Sequence, residues 1–241
     1  MLACFAFVKL RRSGASKRKV ILSTAALGVL ALLISLEVYC STAAVMSALV
    51  VAMAFTPPKA QRLLAKPTVI ITAMILTGVI LTFLLQLLQM PIVKHIVVDT
   101  LGEDLTLTGR ELIYDGLQTV IGRSPVFGYG YGNAAVAMHV GYGNAQNAIM
   151  ETLVNYGLLG LLALFYMVWK STKGPKASWT WGMCILLYAM IAGSVVEITY
   201  NYFFFISLMA ISATIDGATK DCLCIEKSED DHLNDELRVR R

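Results

Sequence analysis

Arg110 stands in the first turn of LTLTGRELIYDGLQTVIGRSP (105–125), a segment that reads as a helix with marked ends. Thr108 and Glu111 have the spacing of a capping box, and Pro125 prevents the helix from continuing. The positive end of a helix dipole disfavours a cation. Arg110 is therefore either a solvated interfacial arginine or part of an anion site. In such a site, free helix N–H groups and a guanidinium fork take a phosphate together. Next to lipid, that phosphate would belong to a lipid phosphate or diphosphate. Arg123, near the other end, either adds a second charge to the site or satisfies the dipole.

A second stretch, GYGNAQNAIMETLVNYGLLG (141–160), runs from a glycine- and amide-rich loop straight into an apolar helix. Asn144 and Asn147 are both good N-caps, and capping accounts for one of them. Gln146 is neither a strong cap nor compatible with lipid. Its amide would hydrogen-bond either a sugar hydroxyl or a neighbouring polar loop. Glu151 and Asn155 lie one turn apart on one helix face, where polar side chains in a membrane look into a bundle or a cavity. Between the two stretches, VFGYGYGNA (126–134) alternates three glycines with Tyr129 and Tyr131. Glycines so placed let the backbone turn tightly or approach a ligand closely. His95 and His139 are each either a general base near neutral pH or an incidental loop residue. Hydrolase, ATPase and zinc-enzyme signatures (HExxH, GxSxG, a P-loop, paired cysteines) are missing from the sequence. Cys222-Leu-Cys224 lacks companion ligands, so the sequence points to no metal site and to ordinary reduced cysteines.

The elements that must hold these residues are apolar. The chain has 241 residues, 57% hydrophobic and only 15% charged, against about 25% charged in soluble domains. Mean hydropathy is +0.67. Apolar blocks occupy 20–38, 39–55, 67–85, 153–169, 179–196 and 202–215, with a polar knot at Glu37 and Cys40-Ser41-Thr42 separating the first two. A span needs roughly 17–25 residues, which the last block falls short of. Lys and Arg cluster before the first block, around Arg62, at 170–176 and in the tail, and leave only Lys94, Arg110 and Arg123 in the long loop at 91–150. Under the positive-inside rule this gives six spans, both termini cytoplasmic and the loop facing outward. The basic balance is then a topology signal, with no reason to invoke nucleic acid. The expected fold is all-α: a multi-pass transmembrane helix bundle over 1–216, with an amphipathic helix in the outward loop. Its stripe of Ile113, Leu117, Val120 and Ile121 faces lipid or the bundle. The charged, aromatic-free tail at 217–241 reads as disordered. Tyr200, Tyr202 and Phe203–Phe205 read as an interfacial aromatic belt. The start MLACFAFVKLRR makes a poor signal peptide and resembles the last turns of an earlier span.

Three pieces in order, LGEDLTLTGRELIYDGL (101–117), SPVFGYGYGNA (124–134) and NAQNAIMETLVNYGLLGLL (144–162), resemble the C-terminal half of the O-antigen ligase and exopolysaccharide polymerase family. The motif-bearing likeness covers about 98–165. It implies a bacterial inner-membrane glycosyltransferase acting on the periplasmic side, with no metal or other cofactor. The donor would be an undecaprenyl-diphosphate-linked glycan, passed to a lipid A core sugar or to another lipid-linked glycan. Polymerase-type members vary more than ligases, which favours polymerisation here. Arg110 matches the arginine expected to stabilise the departing diphosphate. Gln146 stands where the family has a histidine base, with His139 or His95 as a substitute. Arg123, Asn147, Tyr129 and Glu151 are the candidate substrate-binding residues. Ser41 replaces an expected basic residue, and the chain has about half the family's usual length. That length implies either a fragment or a second subunit, or upstream polypeptide, that supplies further spans.

A second class of reading is a homologue without turnover that binds lipid-linked glycan or scaffolds an export complex, motivated by Gln146. A third, a small transporter, calls for charged or broken helices at mid-membrane, and the apolar blocks offer little of either.

Overall fold

In the computed structural model, residues 1–88, 108–132, 134–143, 145, 147–174, 178–194, 200 and 202–214 are described. They are helical, with no strand among the described residues. The all-α expectation holds. The tail at 217–241, with Cys222 and Cys224, lies outside the described residues.

Helix α1 (Leu2–Arg12) ends where the Ser13 hydroxyl donates to the Leu10 carbonyl and Gly14 turns left-handed, with φ 75°. Ser16 then caps α2 (Lys17–Glu37), its Oγ accepting from Lys19 N at 3.4 Å. The polar knot after α2 is a real break. Tyr39 adopts φ 54°, a left-handed conformation costly for a bulky residue, and Cys40 N donates to Ser35 O at 2.9 Å. The chain reverses there into α3 (Ser41–Ala54), and Gly28 lets the two helices touch. A Cβ on Gly28 would stand 2.7 Å from Val51 Cγ2. Pro57 and Pro58 stop the next run and start α4 (Pro58–Leu64), with Pro58 at a first-turn position that needs no N–H. Helix α5 (Pro67–Leu88) follows.

Beyond the long loop come α6 (Thr108–Arg123), α7 (Ala134–Val140), α8 (Ala148–Thr172), a 3₁₀ turn at Ser178–Thr180, α9 (Trp181–Gly193) and α10 (Tyr202–Thr214). Helix α9 is apolar on every side and sits at the centre, nearly all of its residues buried. Gly182 admits α1, since a Cβ there would lie 2.9 Å from the Cys4 carbonyl oxygen. Polar side chains pin α9 to its surroundings. Trp181 Nε1 donates to Met53 O at 3.2 Å, Tyr188 Oη donates to Leu64 O at 2.8 Å, and Thr180 bonds Thr214 at 3.0 Å.

The aromatic stretch needs correcting. Phe204 is fully buried, 4.4 Å from the Tyr200 ring, and only Tyr202 stands well exposed in the manner of an interfacial anchor. Helical periodicity explains this, because Phe204, Leu208 and Ile211 fall on one face and all enter the core.

Among the described residues two helices, α2 and α8, are long and apolar enough, by length and composition, to cross a membrane. Helices α3 and α9 have 14 and 13 residues, below the roughly 17 that a perpendicular span requires.

Candidate functional site

The region between α5 and α8 carries a small core of its own. Ile113, Leu117 and Val120 of α6 are buried with Ala135 and Val136 of α7, with Ala145 just before α8, and with Val154 of α8. The apolar stripe of α6 therefore faces the protein. Gly116 brings the two short helices close, since a Cβ there would lie 2.9 Å from Val140 Cγ1.

After Arg123 the chain turns sharply. Gly128 N donates to Ser124 O at 3.1 Å, and the Ser124 hydroxyl donates to Gly128 O at 2.8 Å. This turn docks into α8, which is not continuous. At Gly157 the backbone takes φ 63° and ψ −164°, a region essentially confined to glycine. The break leaves carbonyls without helical partners on one side and N–H groups on the other. The turn supplies both. Tyr129 N and Gly130 N donate to the carbonyls of Val154 and Asn155 at 2.9 and 2.8 Å. The N–H groups of Leu158 and Leu159 donate to the carbonyls of Pro125 and Val126 at 2.8 and 3.2 Å. Glycine is required on both sides of this contact. A Cβ on Gly128 would sit 2.5 Å from the Asn155 carbonyl carbon, and one on Gly157 would run into the Val126 carbonyl. Interrupted helices of this kind are tolerated at membrane depth where protein satisfies the freed backbone. The expectation of unbroken helices is thus corrected for α8. A glycine in NYGLLG costs a helix only about 1 kcal/mol by itself, and the break is decided by the turn that fills it.

The start of α8 is anchored separately. Asn147 is buried, and its Oδ1 accepts from Ile149 N at 3.0 Å and Met150 N at 3.2 Å. Ala148 N donates to Ser194 O at 3.1 Å, which ties this start to the end of α9. The Asn147 oxygen is committed to the cap.

One and two turns further on, Glu151 Oε2 and Asn155 Oδ1 are buried polar atoms without a hydrogen-bond partner. Asn155 is only 6% exposed. A buried acceptor left unmatched costs roughly 1–3 kcal/mol, so the pair forms a polar surface suited to a hydroxyl-bearing ligand. Asn155 also accepts from Gly130 N at its backbone carbonyl, so its backbone lies directly at the docked turn.

Tyr129 donates its phenol proton to Val120 O at 3.1 Å, and its ring lies 5.9 Å from that of His139, tilted by 56°. His139 is exposed in the last turn of α7, and Arg123 is exposed in the last turn of α6. The structure therefore brings Tyr129, His139, Asn155 and the break together through the turn, and places Glu151 one turn before Asn155. Arg110 lies on the described backbone of α6, but its side chain and those of Thr108 and Glu111 are outside the described set. Gln146, Asn144 and His95 lie outside the described residues. The feature that sequence reasoning missed is Gly157. The available signal was Asn-Tyr-Gly in the middle of an apolar run preceded by a glycine-rich turn. Among the described residues, no group of three or more histidine, cysteine or acidic side chains could hold a metal ion.

Comparison of the chain with protein-family models, with curated proteins and with solved structures finds no match.

Proposed function

We propose that this chain is a multi-pass bacterial inner-membrane protein that polymerises or ligates undecaprenyl-diphosphate-linked glycan at the periplasmic face. One observation supports the reading above the others. The pieces on which the family likeness rests, 101–117, 124–134 and 144–162, are distant in sequence, yet their described parts pack as one unit through α6, the docked turn and the broken α8. On this reading the chain makes six spans with both termini cytoplasmic.

In the reaction, an acceptor hydroxyl attacks the anomeric carbon of the donor sugar as its bond to the diphosphate oxygen breaks. Arg110 at the α6 start stabilises the departing diphosphate through charge and bidentate donors. The acceptor proton passes to a base. Gln146 occupies the family's base position and cannot take a proton, so His139 takes that role, held beside Tyr129. Asn155 and Glu151 receive glycan hydroxyls.

In a cell making a defined surface glycan, deletion of the gene shortens or abolishes the polymer, and Arg110→Ala behaves as deletion does. Polymer of normal length in both strains defeats the proposal. A second reading, a glycan-binding homologue without turnover, is favoured by Gln146 alone. It calls for lipid-linked glycan binding by purified protein with no product formed, and with product appearing in Gln146→His.

A further inference from the structure

Between α1, α2, α4 and α9 lies a half-open cavity of about 280 Å³. Its floor is apolar, built from Phe7, Val20 and Trp181, and its rim carries Arg11, Lys17 and Arg62. These cations come from three different helices, and among the described residues no carboxylate lines the cavity. Arg12, the neighbour of Arg11, is turned away and lies over the Trp179 ring at 5.2 Å. A second observation points the same way. The first turn of α2 holds Lys17, Arg18 and Lys19 and no acidic residue. Cations there oppose the helix dipole, and an anion at that end relieves them. Three positive side chains thus line one cavity, with no carboxylate beside them among the described residues.

We infer that this cavity binds the phosphate of an anionic ligand through Arg11, Lys17 and Arg62. Its volume lies near the lower end of ligand sites, about 300 Å³, which suits a headgroup or small phosphorylated solute. Basic pockets between membrane helices on the cytoplasmic side take lipid headgroups in this way. The two sources of such a phosphate are a phospholipid headgroup and a free phosphate compound. The inference uses none of the residues assigned to glycan transfer, so each stands or falls alone.

The test uses the full chain in phosphatidylcholine nanodiscs containing a minor fraction of phosphatidylglycerol, with phospholipid retained after mild delipidation counted by mass spectrometry. Each basic side chain near the surface contributes about fivefold. The triple variant Arg11→Gln, Lys17→Gln, Arg62→Gln then retains about a hundredfold less phosphatidylglycerol. A triple variant at Lys66, Lys170 and Lys173, exposed side chains equal in charge change and outside the cavity, keeps it. If the cavity triple fails to fold, the pair Lys17→Gln, Arg62→Gln, both exposed side chains, shows a loss of about 25-fold. Inorganic pyrophosphate binding to detergent-solubilised protein, lost in the same variants, with no phosphatidylglycerol preference, assigns the site to a free phosphate. Equal retention of both probes by wild type and all variants overturns the inference.

Discussion

The N–H of Leu158 donates to the carbonyl of Pro125 at 2.8 Å, so a residue from the docked turn stands where a helical carbonyl of α8 would be. The turn and the helix are therefore one hydrogen-bonded object, and their glycines are its joints.

Gly157→Ala places a Cβ against the Val126 carbonyl and forces alanine into a glycine-only conformation. The expected loss is about 3 kcal/mol or more, read as a lowered unfolding midpoint in detergent. Gly122→Ala is the contrast, because that helical glycine has open space around it. It gains about 0.5–1 kcal/mol. Similar midpoints for the two variants contradict the docked turn.

Asn147→Ala removes an acceptor that serves two N–H groups. It costs about 1–2 kcal/mol, while Asn147→Asp or Asn147→Ser recovers most of that. Thermal unfolding checks the order of the three.

Asn155→Leu separates fold from function. Its Oδ1 has no partner, so an apolar residue of similar size leaves stability unchanged or raised. If the amide receives glycan, polymer length falls in the same variant. A parallel fall in stability and polymer contradicts that role.

His139→Gln tests the base. The proposal expects a drop in turnover of about 10²–10⁴-fold with the unfolding midpoint unchanged, because the side chain is exposed. Full turnover in this variant moves the base elsewhere.

Cysteine accessibility tests orientation. Cys40 is exposed at the α2–α3 turn, whereas Cys4 and Cys184 are buried. With Cys222 and Cys224 replaced by serine, the proposed topology expects a membrane-impermeant maleimide to label Cys40 from the periplasmic side of intact spheroplasts. Labelling only after lysis reverses the topology.

Local signals carried much of this architecture. Thr108 to Pro125 bracketed α6, the polar knot marked the turn at Tyr39, and Asn147 announced the cap of α8. Each depends on neighbours a few residues away, so each is visible in a short window. Gly157 depends on Pro125 and Val126, some thirty residues earlier, and no local pattern distinguishes it from a tolerated helical glycine. Helix α7 was missed for a related reason. AAVAMHV is only seven residues long and is held by Gly116 and the stripe of α6. Phe204 looked interfacial because composition reveals aromatic content, while only packing reveals which face is covered.

The joint at Gly157 also carries an order in time. The turn at 124–130 leaves the ribosome before α8 is made, so both halves of α8 meet a partner already synthesised. An insertion beside Gly143, exposed between α7 and α8, would lengthen that delay without altering a single bond of the finished joint. Such variants would lose yield during biogenesis while their surviving molecules kept wild-type stability.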